Sequence, residues 1–236
     1  GYANVFKTLC DSAGLKAVKI SGYAKGYGYK PGDKFTKTDH AWNAVSINGK
    51  WCLMDATWAS ISSQSINGKL VSKLKFDDFW FKTEPQAFIF THLPENVAWQ
   101  LIPKKVIKLS EYENMPYLTD NHFRLGFSSA ATLEYALSGF IKIFVSTYPV
   151  DYPIKAIALP YDGEVQAGKR CSFKVNSAYV KQMAVINNEE WIYFEKNGDA
   201  FSLDFTPVTG ELQIAVKFSD KEKSFHTFAE YTVVKK

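Results

Sequence analysis

A two-residue turn between two strand-like segments constrains the fold of this chain more than any other feature of its sequence. Residues 40–47 and 50–58 both have strand-like patterns, and they are separated by Asn48-Gly49, the dipeptide most typical of a tight β-hairpin. Such a turn pairs Ile47 with Lys50 and sets the register of both strands. A shift of one residue would move every side chain to the opposite face, so the register decides which side chains can meet.

The predicted register places a histidine and an aspartate on the same face of the hairpin. Trp42 pairs with Asp55 and His40 with Thr57, and side chains two apart along a strand share a face. His40 is then diagonal to Asp55, at a Cα separation of about 7–8 Å that a ring and a carboxylate can bridge. Such a pair is the base and the orienting group of a nucleophilic triad, but it is more often structural, and the two residues alone leave both interpretations open.

None of the three cysteines, Cys10, Cys52 and Cys171, is placed to be the nucleophile. A helix predicted over residues 3–13 puts Cys10 on its apolar face, where a buried core thiol is typical. Cys52 has the opposite strand parity to Asp55, and Cys171 lies in a different predicted domain. The residues therefore indicate a nucleophile outside this chain. So small and odd a number of cysteines also favours a reducing compartment over a disulfide framework.

The composition changes near residue 104 and divides the chain into two predicted domains, 1–104 and 105–236. In the first, the helix is followed by a strand at 15–21, a Gly- and Tyr-rich loop at 22–39, the hairpin, an irregular Ser-rich segment at 59–75 and short elements over 76–99. In the second, nine strands are predicted at 122–127, 139–147, 154–159, 170–175, 182–186, 191–195, 202–205, 211–218 and 227–234. Turn dipeptides separate these strands, which is typical of an antiparallel β-sandwich, so the predicted fold class is α+β.

Four motifs, in a fixed order, carry a resemblance to a known family. They are Gly1-Tyr2-Ala3 at the start of the helix, SGYAKGYGY at 21–29, DHAWNAV at 39–45 and WCLMDATW at 51–58. Together they resemble the transglutaminase-like, papain-type core of the kyphoscoliosis peptidase and hillarin family over about residues 1–60. The stretch 88–101 is similar to the continuation of that core. Residues 105–236 resemble, less specifically, the immunoglobulin-like module that follows it, and a Ser-rich insertion at 59–72 departs from the family pattern.

The resemblance implies an activity and assigns roles to two residues. In the family the helix opens with Cys-x-Gly-Tyr-Ala and the cysteine is the nucleophile; the matching position lies two residues before Gly1. The family's histidine falls on His40 and its aspartate on Asp55. This implies a cysteine peptidase or transglutaminase acting on peptide or glutamine amides, with no metal or organic cofactor. Because the chain begins at Gly1 without an initiator methionine, we expect a truncated core that lacks its N-terminal part and is inactive by itself.

Three aromatic residues, Trp42, Tyr27 and Tyr29, are candidates for the walls of a substrate cleft. The two tyrosines lie in the loop at 22–39, for which a flexible surface loop is an equally weighted alternative. Trp42 is expected in the core, where it would screen the His40–Asp55 pair from water.

A metal site is a minor alternative for the polar residues of the first domain. The candidate ligands are Asp39, His40, Asp55 and His92. Their spacing lacks the pattern of known metal motifs, so no metal is predicted. His92 is instead predicted to be a packing or turn residue beside Pro94.

The charge pattern and the hydropathy of the chain indicate which classes of binding partner to expect. The net charge is +4, and no basic block is long or periodic enough to indicate nucleic-acid binding. No run of 18 apolar residues is present, so no membrane partner is predicted. The resemblance implies protein or peptide substrates. Since members of the family are associated with the cytoskeleton, it also implies cytoskeletal partners and a cytoplasmic location.

The alternative function is a catalytically inactive scaffold. Such a protein would keep the same fold and use the β-sandwich as a protein-binding module. The retained pair of His40 and Asp55 favours an enzyme, whereas a residue other than cysteine two positions before Gly1 would favour the scaffold.

Overall fold

A computed structural model describes residues 1–66 and 69–235 of the chain, with the backbone alone described at 62–66 and 69–73. The chain forms two compact units, Gly1–Tyr117 and Leu118–Lys236. Both contain helices and mostly antiparallel sheets, which agrees with the α+β class predicted from the sequence.

The first unit is built on a five-stranded sheet with helices around it. Its elements in chain order are α1 (Tyr2–Ser12), β1 (Ala17–Ala24), β2 (His40–Ile47), β3 (Lys50–Met54), β4 (Ile61–Ile66), β5 (Lys69–Leu74), β6 (Phe81–Thr83), α2 (Pro85–Phe88), β7 (His92–Pro94) and α3 (Leu109–Asn114). Two short 3₁₀ helices lie at Asp78–Trp80 and Val97–Gln100. The sheet has the order β6-β3-β2-β1-β7, and β4 and β5 form a separate two-stranded sheet.

The two faces of the five-stranded sheet bury different apolar clusters. On one face α1, which confirms the helix predicted at 3–13, packs through a cluster that contains Phe6, Cys10, Ala17, Val45, Ile47, Cys52 and Met54. The side-chain amide of Asn43 donates to the carbonyl of Ala3 at 3.0 Å and ties the first turn of α1 to β2. The other face buries a cluster around Trp42 that includes Ile20, Ala44, Leu53, Trp80 and Phe88.

The register of the central hairpin is the predicted one. Ile47 pairs with Lys50, and the pairing continues in step to Asn43 with Met54. The second strand ends at Met54, however, so the prediction of a strand through residue 58 was wrong. The reason is local: the Asp55 carboxylate accepts hydrogen bonds from the backbone N–H groups of Thr57 and Trp58, and this turns the chain out of the sheet.

The Ser-rich segment contains two paired strands on either side of residues 67–68, which lie outside the described residues, and this corrects the prediction of an irregular segment at 59–75. Strands β4 and β5 pair from Ile61 with Leu74 to Ile66 with Lys69. The sequence contained the signal for a hairpin, since Asn67-Gly68 is a second copy of the dipeptide that marked the first.

Residues after 104 belong to the first unit because a buried lysine holds them. Lys25 is fully buried, and its Nζ donates to the carbonyls of Tyr112 at 2.6 Å and Met115 at 2.9 Å. The same Nζ lies 4.9 Å from the ring centroid of Tyr29 and 4.1 Å from that of Tyr112. The first unit therefore extends to Tyr117, past the change of composition near residue 104.

The stability of the first unit should depend on pH through Lys25. Burial lowers the pKa of Lys25 to about 7, whereas an unfolded lysine stays protonated up to about pH 10.4. Between these values the unfolded state binds more protons than the folded state, so the free energy of unfolding should rise by about 1 kcal/mol per pH unit from pH 7.5 to 9.5. Urea denaturation at several pH values measures this slope.

The matched variants for this prediction are Lys25→Met and Lys19→Met. Methionine keeps the unbranched apolar stem of the buried side chain but cannot be protonated, so the slope should flatten in Lys25→Met. Lys19 is exposed on β1, and its replacement should leave the slope unchanged. The same slope in all three proteins would contradict the prediction.

The second unit begins with two helices and continues almost entirely in strands. Its elements are α4 (Asp120–Arg124), α5 (Ser129–Ser138), β8 (Ser146–Thr147), β9 (Lys155–Ala158), β10 (Glu164–Gln166), β11 (Cys171–Asn176), β12 (Gln182–Asn187), β13 (Glu190–Tyr193), β14 (Glu195–Asn197), β15 (Ala200–Phe205), β16 (Gly210–Lys217) and β17 (His226–Val234). One sheet has the order β10-β17-β16-β12-β13, with β8 also paired to β17, and the other has the order β14-β15-β11-β9. Both contribute to one apolar core that includes Phe173, Val185, Phe201, Ile214 and Tyr231.

Two of the predicted strands in this unit were wrong. Residues 122–127 overlap α4, and of 139–147 only Ser146–Thr147 is a strand. The helix α5 between them was missed although its ends are marked: the Ser128 hydroxyl accepts from the N–H of Ala131, and Gly139 ends the helix at φ 67°. Six of the seven later strand predictions are confirmed, whereas the strand predicted at 191–195 is divided at Phe194 between β13 and β14. Within 1–66 and 69–235, no helix combines the length and the apolar composition that crossing a membrane requires.

Candidate functional site

Two histidines of the first unit converge on one oxygen of Asp55. The Nε2 atom of His40 lies 2.6 Å from Asp55 Oδ2, and the Nε2 atom of His92 lies 3.0 Å from the same oxygen. His40 begins β2, Asp55 follows β3, and His92 begins β7. The strand β1 lies between β2 and β7, and Gly22 of β1 pairs with His40 on one side and with Pro94 on the other. Strand pairing therefore brings together three residues that are far apart in the sequence.

The carboxylate of Asp55 is fully buried and receives four hydrogen bonds. Its Oδ1 accepts from the N–H of Thr57 at 2.8 Å and of Trp58 at 3.1 Å, and its Oδ2 faces the two histidines. Burial alone would raise the pKa of Asp55, but the hydrogen bonds from His40 and His92 outweigh it and hold the pKa well below its usual range. At neutral pH the group is therefore ionised and acts only as an acceptor.

His40 is the member of the group that reaches the surface, with 17% of its side chain exposed. Its ring is flanked by the rings of Trp42 at 6.1 Å and Trp58 at 5.9 Å. Because Nε2 donates to the ionised Asp55, the proton-free nitrogen of the neutral ring is Nδ1. His40 can thus take up a proton at Nδ1 while Asp55 stabilises the charged ring.

His92 is a member of the site, although the sequence predicted a packing or turn residue there, with a metal ligand as the minor alternative. Its side chain is fully buried, and its ring stacks on Phe88 with a centroid distance of 4.1 Å. It is more than a packing residue, because it also binds Asp55. No local pattern signals this role: the contact depends on the pairing of β7 with β1, across about seventy residues of sequence.

The cluster also has a donor set that metal ions use. One ligand atom from each of His40, Asp55 and His92 lies within 4.8 Å of the others. Asp39, the fourth candidate from the sequence, is engaged elsewhere, since its Oδ1 accepts from the N–H of Ala24 at 2.9 Å. Both ring nitrogens bond directly to Asp55 Oδ2, so hydrogen bonds within the protein already satisfy these groups without an ion.

The three candidate cleft residues occupy different environments. Trp42 is fully buried and its ring lies 5.1 Å from that of His92, so it lies beneath the site and does not line an open cleft. The hydroxyl of Tyr29 lies 2.9 Å from the carbonyl of Glu113, to which it donates, and Tyr29 stacks on Phe35. Tyr27 is 78% exposed, and a role for it in a cleft stays a prediction.

The cysteines lie where the sequence reasoning placed them. Cys10 and Cys52 belong to the cluster on the α1 face of the sheet, whereas His40 stacks with Trp42 on the opposite face. Burial, followed by the nearby charge of Asp11, raises the pKa of the Cys10 thiol. Cys171 belongs to the second unit. Neither thiol of the first unit is thus placed on the His40 face.

Comparison with known proteins finds relatives of this chain, although no protein-family model matches it. It is 39% identical to kyphoscoliosis peptidase of Homo sapiens over 131 residues, which are 55% of this chain and 19% of that protein. It is 36% identical to hillarin of Drosophila melanogaster over 173 residues, 68% of this chain and 20% of that protein. It is 33% identical to Lim and transglutaminase domain protein ltd-1 of Caenorhabditis elegans over 140 residues, 54% of this chain and 19% of that protein.

The chain therefore spans about a fifth of the length of these relatives. Identities of this size over more than a hundred residues support the resemblance that the four sequence motifs carry. Over this region the chain belongs to the kyphoscoliosis peptidase and hillarin family.

Proposed function

We propose that the first unit supplies the general base and the orienting carboxylate of a transglutaminase-like cysteine peptidase domain. The observation that carries the proposal is the 2.6 Å contact between His40 Nε2 and Asp55 Oδ2, made by the two residues to which the sequence resemblance assigns the family's histidine and aspartate. The nucleophile would be a cysteine two residues before Gly1, at the start of α1. No cofactor takes part in this mechanism.

The proposed reaction is acyl transfer through a thioester. His40 Nδ1 takes the thiol proton, and the thiolate attacks the carbonyl carbon of a peptide or glutamine amide. The C–N bond breaks as His40 returns the proton to the leaving amine. Water or a second amine then attacks the thioester, gives a proton to His40 and releases the thiol. Asp55 holds the ring and stabilises its charged form in both halves of the cycle.

The geometry of α1 supports a reactive thiol at its start. Partial positive charge at a helix N-terminus and a neighbouring histidine both lower the pKa of a cysteine. The bond from Asn43 to the Ala3 carbonyl fixes this end of the helix against β2, the strand that carries His40.

Protein or peptide substrates, cytoskeletal proteins among them, are part of the proposal. An apolar cavity of about 230 Å³ borders Asp55 in the first unit. Its lining includes Phe6, Met54, Ala59, Trp80 and Phe81. The apolar lining of this cavity supports a substrate that presents an apolar side chain next to the reacting amide.

Thiol labelling tests the proposed nucleophile. A polypeptide that includes the residues before Gly1 is treated with iodoacetamide at pH 6, and the labelled positions are found by tandem mass spectrometry. We expect a cysteine two positions before Gly1 to react at least about tenfold faster than Cys10, Cys52 and Cys171, because a thiolate paired with a histidine persists at this pH. His40→Ala should remove the advantage. Faster labelling of Cys10 or Cys52, or another residue at the upstream position, would contradict the proposal and favour a non-catalytic scaffold.

A further inference from the structure

One oxygen of Asp55 is shared between two histidines, and only one of them has a place in the proposed reaction. Both Nε2 atoms contact Oδ2, at 2.6 Å for His40 and 3.0 Å for His92. His40 is partly exposed, whereas His92 is completely buried. The second contact therefore belongs to a residue that substrate does not reach.

The protonation of this group follows from charge and burial. Since Asp55 is ionised, it accepts only, and each Nε2 must donate to it. Burial, its largest influence, lowers the pKa of His92, so His92 is neutral and carries its single proton on Nε2. Its Nδ1 is then an acceptor.

Thr91 supplies the donor that this arrangement of His92 requires. The Thr91 hydroxyl lies 2.8 Å from His92 Nδ1 and 3.2 Å from the carbonyl of Phe88. It has one proton, and the shorter contact to Nδ1 uses it. The Phe88 carbonyl has another donor, the backbone N–H of Thr91 at 3.1 Å. The hydroxyl therefore favours the tautomer of His92 whose N–H points at Asp55.

Packing holds the ring of His92 in this direction. The ring stacks on that of Phe88 with a centroid distance of 4.1 Å. The ring centroids of Trp58, Trp80 and Trp42 lie 4.5 to 5.3 Å from that of His92. A ring enclosed on this many sides has no space to turn away from Asp55.

We propose that His92 is a positioning residue of the site: as a neutral donor whose tautomer is set by Thr91, it orients Asp55 and keeps it ionised for His40. The inference rests on the proposed function of His40 and Asp55. Without the N–H of His92, Oδ2 would keep one side-chain donor in a site from which water is excluded. Burial would then favour the neutral acid, which holds the base less firmly.

The test compares His92→Gln with His92→Phe. Glutamine places an amide N–H near the position of Nε2, whereas phenylalanine keeps a ring against Phe88 but has no donor. In a pH titration of the chain followed by ¹³C NMR, the pKa of the Asp55 carboxyl should move up toward its usual range in His92→Phe and stay low in His92→Gln. The side chains that face Asp55 are those of His40 and His92, and the charge of Asp39 influences the pKa of His92. Only residue 92 differs between the native protein and the two variants, so a change in the titration reports on that residue.

Activity supplies the second measurement, in the polypeptide that includes the residues before Gly1. The kcat for hydrolysis of a peptide amide should fall roughly ten- to a hundred-fold in His92→Phe, with little change in KM, because a hydrogen bond to a charged group is lost. His92→Gln should recover most of it. Thr91→Val should increase the fraction of His92 protonated on Nδ1, as read from its ¹⁵N shifts, whereas Thr91→Ser should not.

An unchanged Asp55 titration and an unchanged kcat in His92→Phe would overturn the proposal. If the native polypeptide folds but has no activity, the proposed function is wrong. If His92→Phe still raises the pKa of Asp55 in that case, His92 remains the residue that keeps Asp55 ionised. The two failures are thus distinguishable.

Discussion

Replacing Asp55 with asparagine should reduce acyl-transfer activity by about 10⁴-fold while leaving the fold of the first unit in place. The asparagine oxygen can still accept from the N–H groups of Thr57 and Trp58, as Oδ1 of Asp55 does. Its NH₂ group would then face His40 Nε2, which must become an acceptor. The ring proton moves to Nδ1, and His40 can no longer take the proton of a thiol. The measurement is kcat with a peptide substrate in the polypeptide that includes the residues before Gly1.

The matched control is Asp39→Asn. Asp39 precedes His40 in the sequence, is exposed, and accepts from the backbone N–H of Ala24. Its replacement changes the net charge by the same amount without touching the His40–Asp55 contact, so activity should stay within about threefold of the native value, as for an exposed charge. An equal loss of activity in Asp55→Asn and Asp39→Asn would mean that activity depends on negative charge near His40 and not on the hydrogen bond between His40 and Asp55.

Gly22→Ala should destabilise the first unit by about 3 kcal/mol or more, the upper range for overpacking a core. A Cβ at this position would fall under 3.0 Å from the Leu93 carbonyl oxygen, the ring of Trp42 and the Cα of Pro94. Two of these are backbone atoms of β7, and Trp42 is fully buried, so none can give way cheaply. Either β7 must separate from β1 or the ring must move, and both changes would disturb His92.

Urea denaturation followed by tryptophan fluorescence measures this effect, since five of the six tryptophans lie in the first unit. Gly26→Ala is the control: among the described residues, no atom beyond its two chain neighbours lies within 4 Å of its added Cβ, and the free energy of unfolding should change by less than about 1 kcal/mol. A midpoint for Gly22→Ala equal to that of Gly26→Ala would show that β1 and β7 are not packed as closely as described.

Much of the site was readable from the sequence because its signals are local. The Asn48-Gly49 turn determines the register from Ile47 and Lys50 onward, and this register brings His40 to Asp55. The early end of β3 was not readable in the same way. The strand ends because the Asp55 carboxylate accepts hydrogen bonds from the backbone N–H groups of Thr57 and Trp58. These hydrogen bonds compete with the strand pattern of residues 50–58.

The second unit shows the same division between local signals and packing. Strand β11 alternates exposed and buried residues and was predicted. In residues 122–127 apolar and polar residues also alternate along the sequence, yet His122 is fully buried within α4, with its Nε2 3.2 Å from the Thr132 hydroxyl of α5. The contact between two helices decided the structure of a segment whose own pattern was ambiguous.

The sequence by itself determined the fold class, the central hairpin and the pair of His40 and Asp55, since turn chemistry and side-chain periodicity act over a few residues. The tertiary structure alone decided that His92 shares the Asp55 oxygen and that Lys25 holds the segment up to Tyr117. Both contacts join residues tens of positions apart, and they form only when strands and helices pack against one another. No local pattern encodes which distant segment will close such a loop, because the free energy that selects it comes from burial across the whole unit.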